Sequence, residues 1–131
     1  MASGGYNFGR ESLMTALDLT SDTIRAMLVD NTYTFSATET TMTTAGAARL
    51  GTDATLASKT VTDGVFDAAN STWTAVAGGD TVTAVIVFKF VTNDASSTPL
   101  VYIDVNDEAT DGSNVEIQWD AGANKIYAVN G

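Results

Sequence analysis

The sequence predicts an all-β fold, a single β-sandwich of jelly-roll or immunoglobulin-like type, and three observations support this prediction. The first is the run Thr81–Val91, TVTAVIVFKFV, which is rich in β-branched and aromatic residues and contains no glycine or proline. The second is composition, because threonine, alanine and valine dominate whereas the helix-forming residues glutamate, lysine, glutamine and leucine are scarce. The third is the spacing of turn residues, which divides the chain into about eight short antiparallel strands.

The run Thr81–Val91 is apolar on both faces of the predicted strand. One alternating set of side chains contains Ile86 and Phe88, and the other contains Val85 and Val87. Near-continuous apolar runs are typical of strands that are buried on both sides. We therefore expect this strand at the centre of a sheet with cover on each face. A helix is disfavoured, because β-branched residues are dense and turn residues precede the run.

The other strands are predicted from alternating hydrophobicity between turn signals. Their ranges are 23–29, 32–35, 54–61, 64–68, 71–76, 100–105, 114–119 and 125–129. The turn-forming segments 92–99 and 106–113 are expected to be loops between them.

The length of the chain predicts one domain, preceded by an arm. Residues 1–8, MASGGYNF, are small and glycine-rich and are expected to be flexible. The β-sandwich domain is expected to span 9–131. It begins with a short helix near 11–17, where leucine and methionine side chains fall on one side.

Four residues are predicted to bind a partner. Tyr6 and Phe8 are expected to anchor the arm, because aromatic side chains provide large contact areas at low entropic cost. We expect the arm to mediate attachment rather than to stabilise the fold. Arg10 and Met42 complete the set, and the polar segment 38–48 around Met42 is expected to be a long surface loop that packs on another subunit.

The composition argues against several kinds of chemistry. The chain contains no cysteine and no histidine, which removes disulfides, thiolate metal sites and the commonest general base. The formal net charge of −10 disfavours binding to nucleic acid or to an anionic membrane surface. No apolar run approaches the roughly 18 to 20 residues of a transmembrane helix. We therefore predict no catalytic residue, no cofactor and no enzymatic activity.

The acidic segment 104–112 has only a superficial similarity to a calcium-binding loop. Ala109 stands where an EF-hand loop requires glycine, and Val115 stands where it requires a bidentate glutamate. We interpret the segment as a solvated turn, with a looser oxygen-ligand calcium site as the alternative.

Several short motifs follow one another in a distinctive order between Gly9 and Val129. The motifs DTIR at 22–25, STWT around Trp73 and IQWD at 117–120 are distinctive in combination. This order resembles a group of small structural proteins of tailed-bacteriophage virions. The resemblance implies a protein that is located in the virion, after assembly in the bacterial host cytoplasm.

Within that group, the charge favours a capsid cement or decoration protein that binds the lattice of the major capsid protein. Strong negative charge keeps such a protein soluble before assembly, and lattice symmetry favours a homo-oligomer, a trimer or a dimer. A neck or tail-associated virion protein is the alternative. A carbohydrate-binding β-sandwich is a second alternative, which requires that exposed aromatic residues be found among Trp73, Tyr102, Trp119 and Tyr127.

Overall fold

The structure is a computed structural model that describes residues 4–6, 18–62, 65–117, 119 and 127–128. In this part of the chain the elements are β1 Gly4–Gly5, β2 Ile24–Val29, α1 Thr43–Gly46, β3 Arg49–Thr55, β4 Thr60–Thr62, β5 Val65–Asp67, β6 Ser71–Trp73, β7 Thr81–Val91, β8 Asn93–Ala109, β9 Val115–Ile117 and β10 Tyr127–Ala128. The prediction of an all-β fold is confirmed. The helix predicted near 11–17 lies outside the described residues.

The strands of the described residues form three antiparallel sheets. The main sheet has five strands in the order β1-β8-β7-β2-β3, a second has the order β10-β5-β4, and β6 pairs with β9. The finer prediction of a single sandwich of about eight strands is not confirmed, because the strands divide among three sheets and two of these are small.

The strand β7 occupies the centre of the main sheet, between β2 and β8, as the sequence predicts. Val85 and Val87 lie in one buried cluster, whereas Ile86 and Phe88 lie in another. The register with β8 shifts between Val82 and Ala84. This irregularity places Val82 in the same cluster as Val85, although simple alternation predicts the opposite face.

Each face of the main sheet has its own cover. The first face packs against the two small sheets through Phe66 of β5, Trp73 of β6 and Val115 of β9, together with Trp119. The second face is covered by residues from the segment 33–48 and by Tyr6. The side chain of Trp73 is almost completely buried in this cover.

The segment that covers the second face differs from two predictions. No strand forms at 32–35, because the side chain of Asp30 accepts a hydrogen bond from the amide of Thr32 at 2.9 Å and turns the chain. The surface loop predicted at 38–48 contains α1 instead. Met42 and Ala45 are buried there against the main sheet.

The prediction of a loop at 92–99 is also wrong, because β8 begins at Asn93, directly after the turn at Thr92. The hydroxyl of Ser97 accepts a hydrogen bond from the amide of Val91 at 3.0 Å and donates to the carbonyl of Asn93 at 2.7 Å. Arg49 of β3 also holds the carboxylate of Asp94, with nitrogen–oxygen distances of 2.7 and 3.0 Å. These polar contacts order a stretch that lacks an apolar pattern.

Residues 4–6, which lie within the predicted arm 1–8, belong to the main sheet. Gly4 pairs with Tyr102 and Gly5 with Val101. The amide of Tyr6 donates to the carbonyl of Leu100 at 3.2 Å. Residues 4–6 are therefore held by strand pairing and by burial of the Tyr6 side chain.

We expect Phe88→Ala to lower the free energy of unfolding by about 3–5 kcal/mol, because removal of a buried ring leaves a cavity. The matched control is Val91→Ala on the same strand, whose side chain is 40% exposed, and about 0.5 kcal/mol or less is expected there. Urea denaturation measures both values. A loss below about 1 kcal/mol for Phe88→Ala would contradict the central position of β7.

Candidate functional site

A cleft of about 560 Å³ lies over one end of the main sheet, beside β8. Clefts of several hundred cubic ångströms are large enough to enclose a small ligand or several side chains of a partner. We call it the acidic cleft, and its lining residues are Asn31, Tyr33, Thr34, Thr83, Asp104, Val105, Asn106 and Asp107.

One wall of the acidic cleft is the loop that follows β2. The Asp30 carboxylate accepts from the amide of Thr32, and the amide of Tyr33 donates to the Asp30 carbonyl at 3.3 Å. Side chains of aspartate that bond the backbone two residues ahead stabilise tight turns. This turn holds Asn31 and Thr34 exposed at the wall of the cleft.

Tyr33 connects this wall to the core. Its hydroxyl donates to the Glu39 carboxylate at 2.9 Å, so its oxygen accepts the 2.7 Å hydrogen bond from the hydroxyl of Tyr6. Burial raises the pKa of both tyrosines above the ordinary value. Both phenols therefore remain protonated at neutral pH. Hydrogen bonds are then donated in one direction, from Tyr6 to Tyr33 and from Tyr33 to Glu39.

Packing of aromatic rings also holds Tyr6 and Tyr33 in place. The ring of Phe35 stacks on Tyr102 of β8 at 5.1 Å and meets the ring of Tyr6 edge-on at 5.0 Å. Tyr33 also lies 5.9 Å from Tyr102, measured between ring centroids. Such aromatic pairs add about 0.5–1.5 kcal/mol each beyond burial. The N-terminal segment, the loop and β8 are thereby packed into one unit.

The opposite wall of the acidic cleft is formed by the strand β8. Asp104, Val105, Asn106 and Asp107 are consecutive, and all four line the cleft. The register with β7 shifts here, since Ala84 pairs with Asp104 and Val82 with Glu108. Three residues of β8 therefore lie opposite Thr83 alone, which interrupts the strict alternation of side chains and lets consecutive residues line the cleft. Thr83 of β7 closes the floor, and its hydroxyl donates to the carbonyl of Val29 at 3.4 Å.

The lining of the acidic cleft is polar and carries negative charge. Carboxylates come from Asp104 and Asp107, amides from Asn31 and Asn106, and no lysine or arginine is among the described residues that line it. Carboxylate oxygens accept hydrogen bonds and do not donate them when ionised. The cleft is therefore suited to a positively charged group that donates hydrogen bonds.

The described residues offer little support for a calcium site in the segment 104–112. They include no group of three or more acidic side chains that are placed to hold a metal ion. Asp111 is engaged within its own turn, where its carboxylate accepts from the amide of Ser113 at 3.0 Å. Hydrogen bonds from Ser113 lower the pKa of Asp111.

Two of the four predicted partner-binding residues fall within the described part of the chain, and neither lies at the surface. Tyr6 and Met42 are completely buried in the cluster on the second face of the main sheet. Both side chains fill the space between that face and its cover, so neither is exposed to a partner in the isolated chain. Phe8 and Arg10 lie outside the described residues.

Three of the four aromatic residues that could form a carbohydrate-binding surface are also buried. These are Trp73, Tyr102 and Trp119. The indole nitrogen of Trp119 donates to the carbonyl of Ala69 at 3.0 Å. The side chain of Tyr127 lies outside what the structure describes.

Comparison with known protein families, curated proteins and solved structures finds no match for this chain. Within the described residues, none of the helical segments is long and apolar enough to cross a membrane.

We expect Tyr6→Ala to lower the free energy of unfolding by about 3–5 kcal/mol, because it empties a fully buried aromatic site. Tyr6→Phe is the matched control, since it keeps the ring and removes only the hydrogen bond to Tyr33, at a cost of about 1 kcal/mol. Urea denaturation gives both values. If Tyr6→Ala changes stability by less than about 0.5 kcal/mol, residues 4–6 are not part of the folded core.

The burial of Glu39 predicts that the stability of the fold depends on pH. Burial raises the pKa of its carboxyl above the ordinary value of 4.5, and the hydrogen bond from Tyr33 opposes this shift only in part. Because the pKa is higher in the folded state, the contribution of Glu39 to stability is full below the unfolded value. It is lost as pH rises through the folded value.

Glu39→Gln isolates this contribution, since glutamine keeps an oxygen acceptor for Tyr33 and does not titrate. We expect the free energy of unfolding of the wild type, relative to that of Glu39→Gln, to fall as pH rises from the ordinary pKa of about 4.5 toward neutrality. Urea denaturation across this pH range measures the difference. A difference that rises with pH would show that Glu39 is stabilised as the carboxylate.

Proposed function

We propose that this chain is a non-enzymatic structural protein of a tailed-phage virion, and specifically a capsid cement or decoration protein that binds the lattice of the major capsid protein. The observation that carries the proposal is the order of motifs from DTIR at 22–25 to IQWD at 117–120. In architectural terms, we interpret the main sheet and the small sheets on its first face as the two layers of a β-sandwich.

The physical properties of the chain support a binding role of this kind. Both faces of the main sheet are covered, so the described residues form a packed body that needs no partner to bury its core. The net charge of −10 opposes self-association of the free protein. The acidic cleft provides a concave polar surface for contact with a neighbour.

A neck or tail-associated position in the virion is the second candidate, because the same motif order favours any of these structural roles. The carbohydrate-binding alternative has less support, since Trp73, Tyr102 and Trp119 are buried and offer no platform for a sugar ring. We propose that the chain forms a homo-oligomer, a trimer or a dimer, when it is bound to the lattice, because lattice sites are symmetric.

Addition of the purified protein to undecorated capsids tests the proposal. We expect saturable binding at a fixed ratio to the major capsid protein, measured by co-sedimentation and gel densitometry. Isolated tails are the matched control, because binding to tails alone would assign the chain to the second candidate. Absence of saturable binding to either particle would contradict a virion role.

A further inference from the structure

The acidic cleft combines three features that together define a ligand. It is a concavity of about 560 Å³, one of its walls is the stretch of β8 from Asp104 to Asp107, and its lining is negatively charged. The first feature provides room for several residues of a partner. The other two determine what chemistry that partner must have.

The edge of β8 provides the second feature. β8 runs from Asn93 to Ala109, and in the described part of the chain β1 pairs only with Val101 and Tyr102 on its outer side. Beyond this pair, the stretch from Val105 to Ala109 has no strand on that side among the described residues. Exposed strand edges bind extended peptides through main-chain hydrogen bonds, and pockets for alternate side chains add specificity.

The third feature is the negative charge of the lining, which disfavours a second copy of this chain as the occupant. Asp107 and Glu108 lie on this stretch of β8, and the whole chain has a net charge of −10. A second copy of the chain would place the same carboxylates opposite these, and like charges directly opposite on paired strands are destabilising. A segment that carries lysine or arginine would be attracted.

We propose that the acidic cleft binds an extended, lysine- or arginine-bearing segment of a partner protein, which pairs with β8 between Val105 and Ala109. Basic side chains on one face of this segment enter the cleft and meet the carboxylate of Asp107 and the amide oxygens of Asn31 and Asn106. The inference deepens the proposed function, because it names the surface by which the chain holds its neighbour.

The test uses the full chain, labelled with nitrogen-15, and a short acetylated peptide of alternating threonine and lysine. We expect amide chemical shifts to change at 31–34 and 105–109 as the peptide is added. The same peptide with acetylated lysines is the control and is expected to cause no change, because acetylation removes the charge.

Two pairs of variants localise the binding. Asp107→Asn is expected to weaken it by about 2- to 5-fold, as for one exposed charge pair, whereas Glu108→Gln removes the same charge outside the lining and is expected to change it less. Thr34→Lys places a positive charge at the wall of the cleft and is expected to abolish binding. Its control is Thr52→Lys at an exposed position of β3.

Two results would overturn the proposal in favour of unspecific electrostatic attraction. One is a change of amide chemical shifts over the whole acidic surface, and the other is an equal loss of peptide binding in Asp107→Asn and Glu108→Gln. Failure of Thr34→Lys to reduce binding would overturn it as well, provided that the variant melts like the wild type. Peptide binding without capsid binding contradicts the proposed function alone. Capsid binding that Thr34→Lys leaves intact contradicts the cleft as the attachment surface.

Discussion

Burial of β7 on both faces is the constraint on which the rest of the structure depends. A strand that is covered on each side has no water to satisfy its backbone groups, so both of its edges must be paired. The strands β2 and β8 meet this requirement over most of its length. Two apolar faces also require two separate covers, and the remaining chain is divided between them.

The two covers are built differently, and the difference determines where the chain can bind. The first face is covered by regular structure, the small sheets that carry Phe66, Trp73 and Val115. The second face is covered by the short helix α1 and by irregular chain that side-chain contacts hold in place, above all the hydrogen bonds of Tyr33 with Tyr6 and Glu39. Because Tyr33 also lines the acidic cleft, the wall of the cleft is held in place by the core.

The sequence predicts those elements that have a local pattern of hydrophobic residues. The bounds of β7 follow from its continuous apolar run, and the structure confirms them. In β2, Ile24, Ala26 and Leu28 alternate along the chain and lie in one buried cluster. Side chains of a strand have a period of two whatever they pack against. Such patterns therefore remain readable without knowledge of the fold.

The elements that the sequence does not predict depend on distant partners. The small and polar residues around Tyr6 and Met42 predict exposed positions for both side chains. They are buried instead, because residues far along the chain form a space for them. The strand from Asn93 to Ser97 is polar and is ordered by Ser97 and by Arg49. The cleft has no local signal either, since Thr34 and Thr83 are ordinary polar residues until β8 lies beside them.

Native-state hydrogen exchange tests the central position of β7 most directly. If the strand is buried on both faces and paired on both edges, the amides from Ala84 to Phe88 exchange only when the whole protein unfolds. Their protection then equals the global free energy of unfolding, whereas the amides of Ser71–Trp73 in the two-stranded sheet exchange faster. Exchange of the β7 amides at the rate of the small sheets would contradict this account.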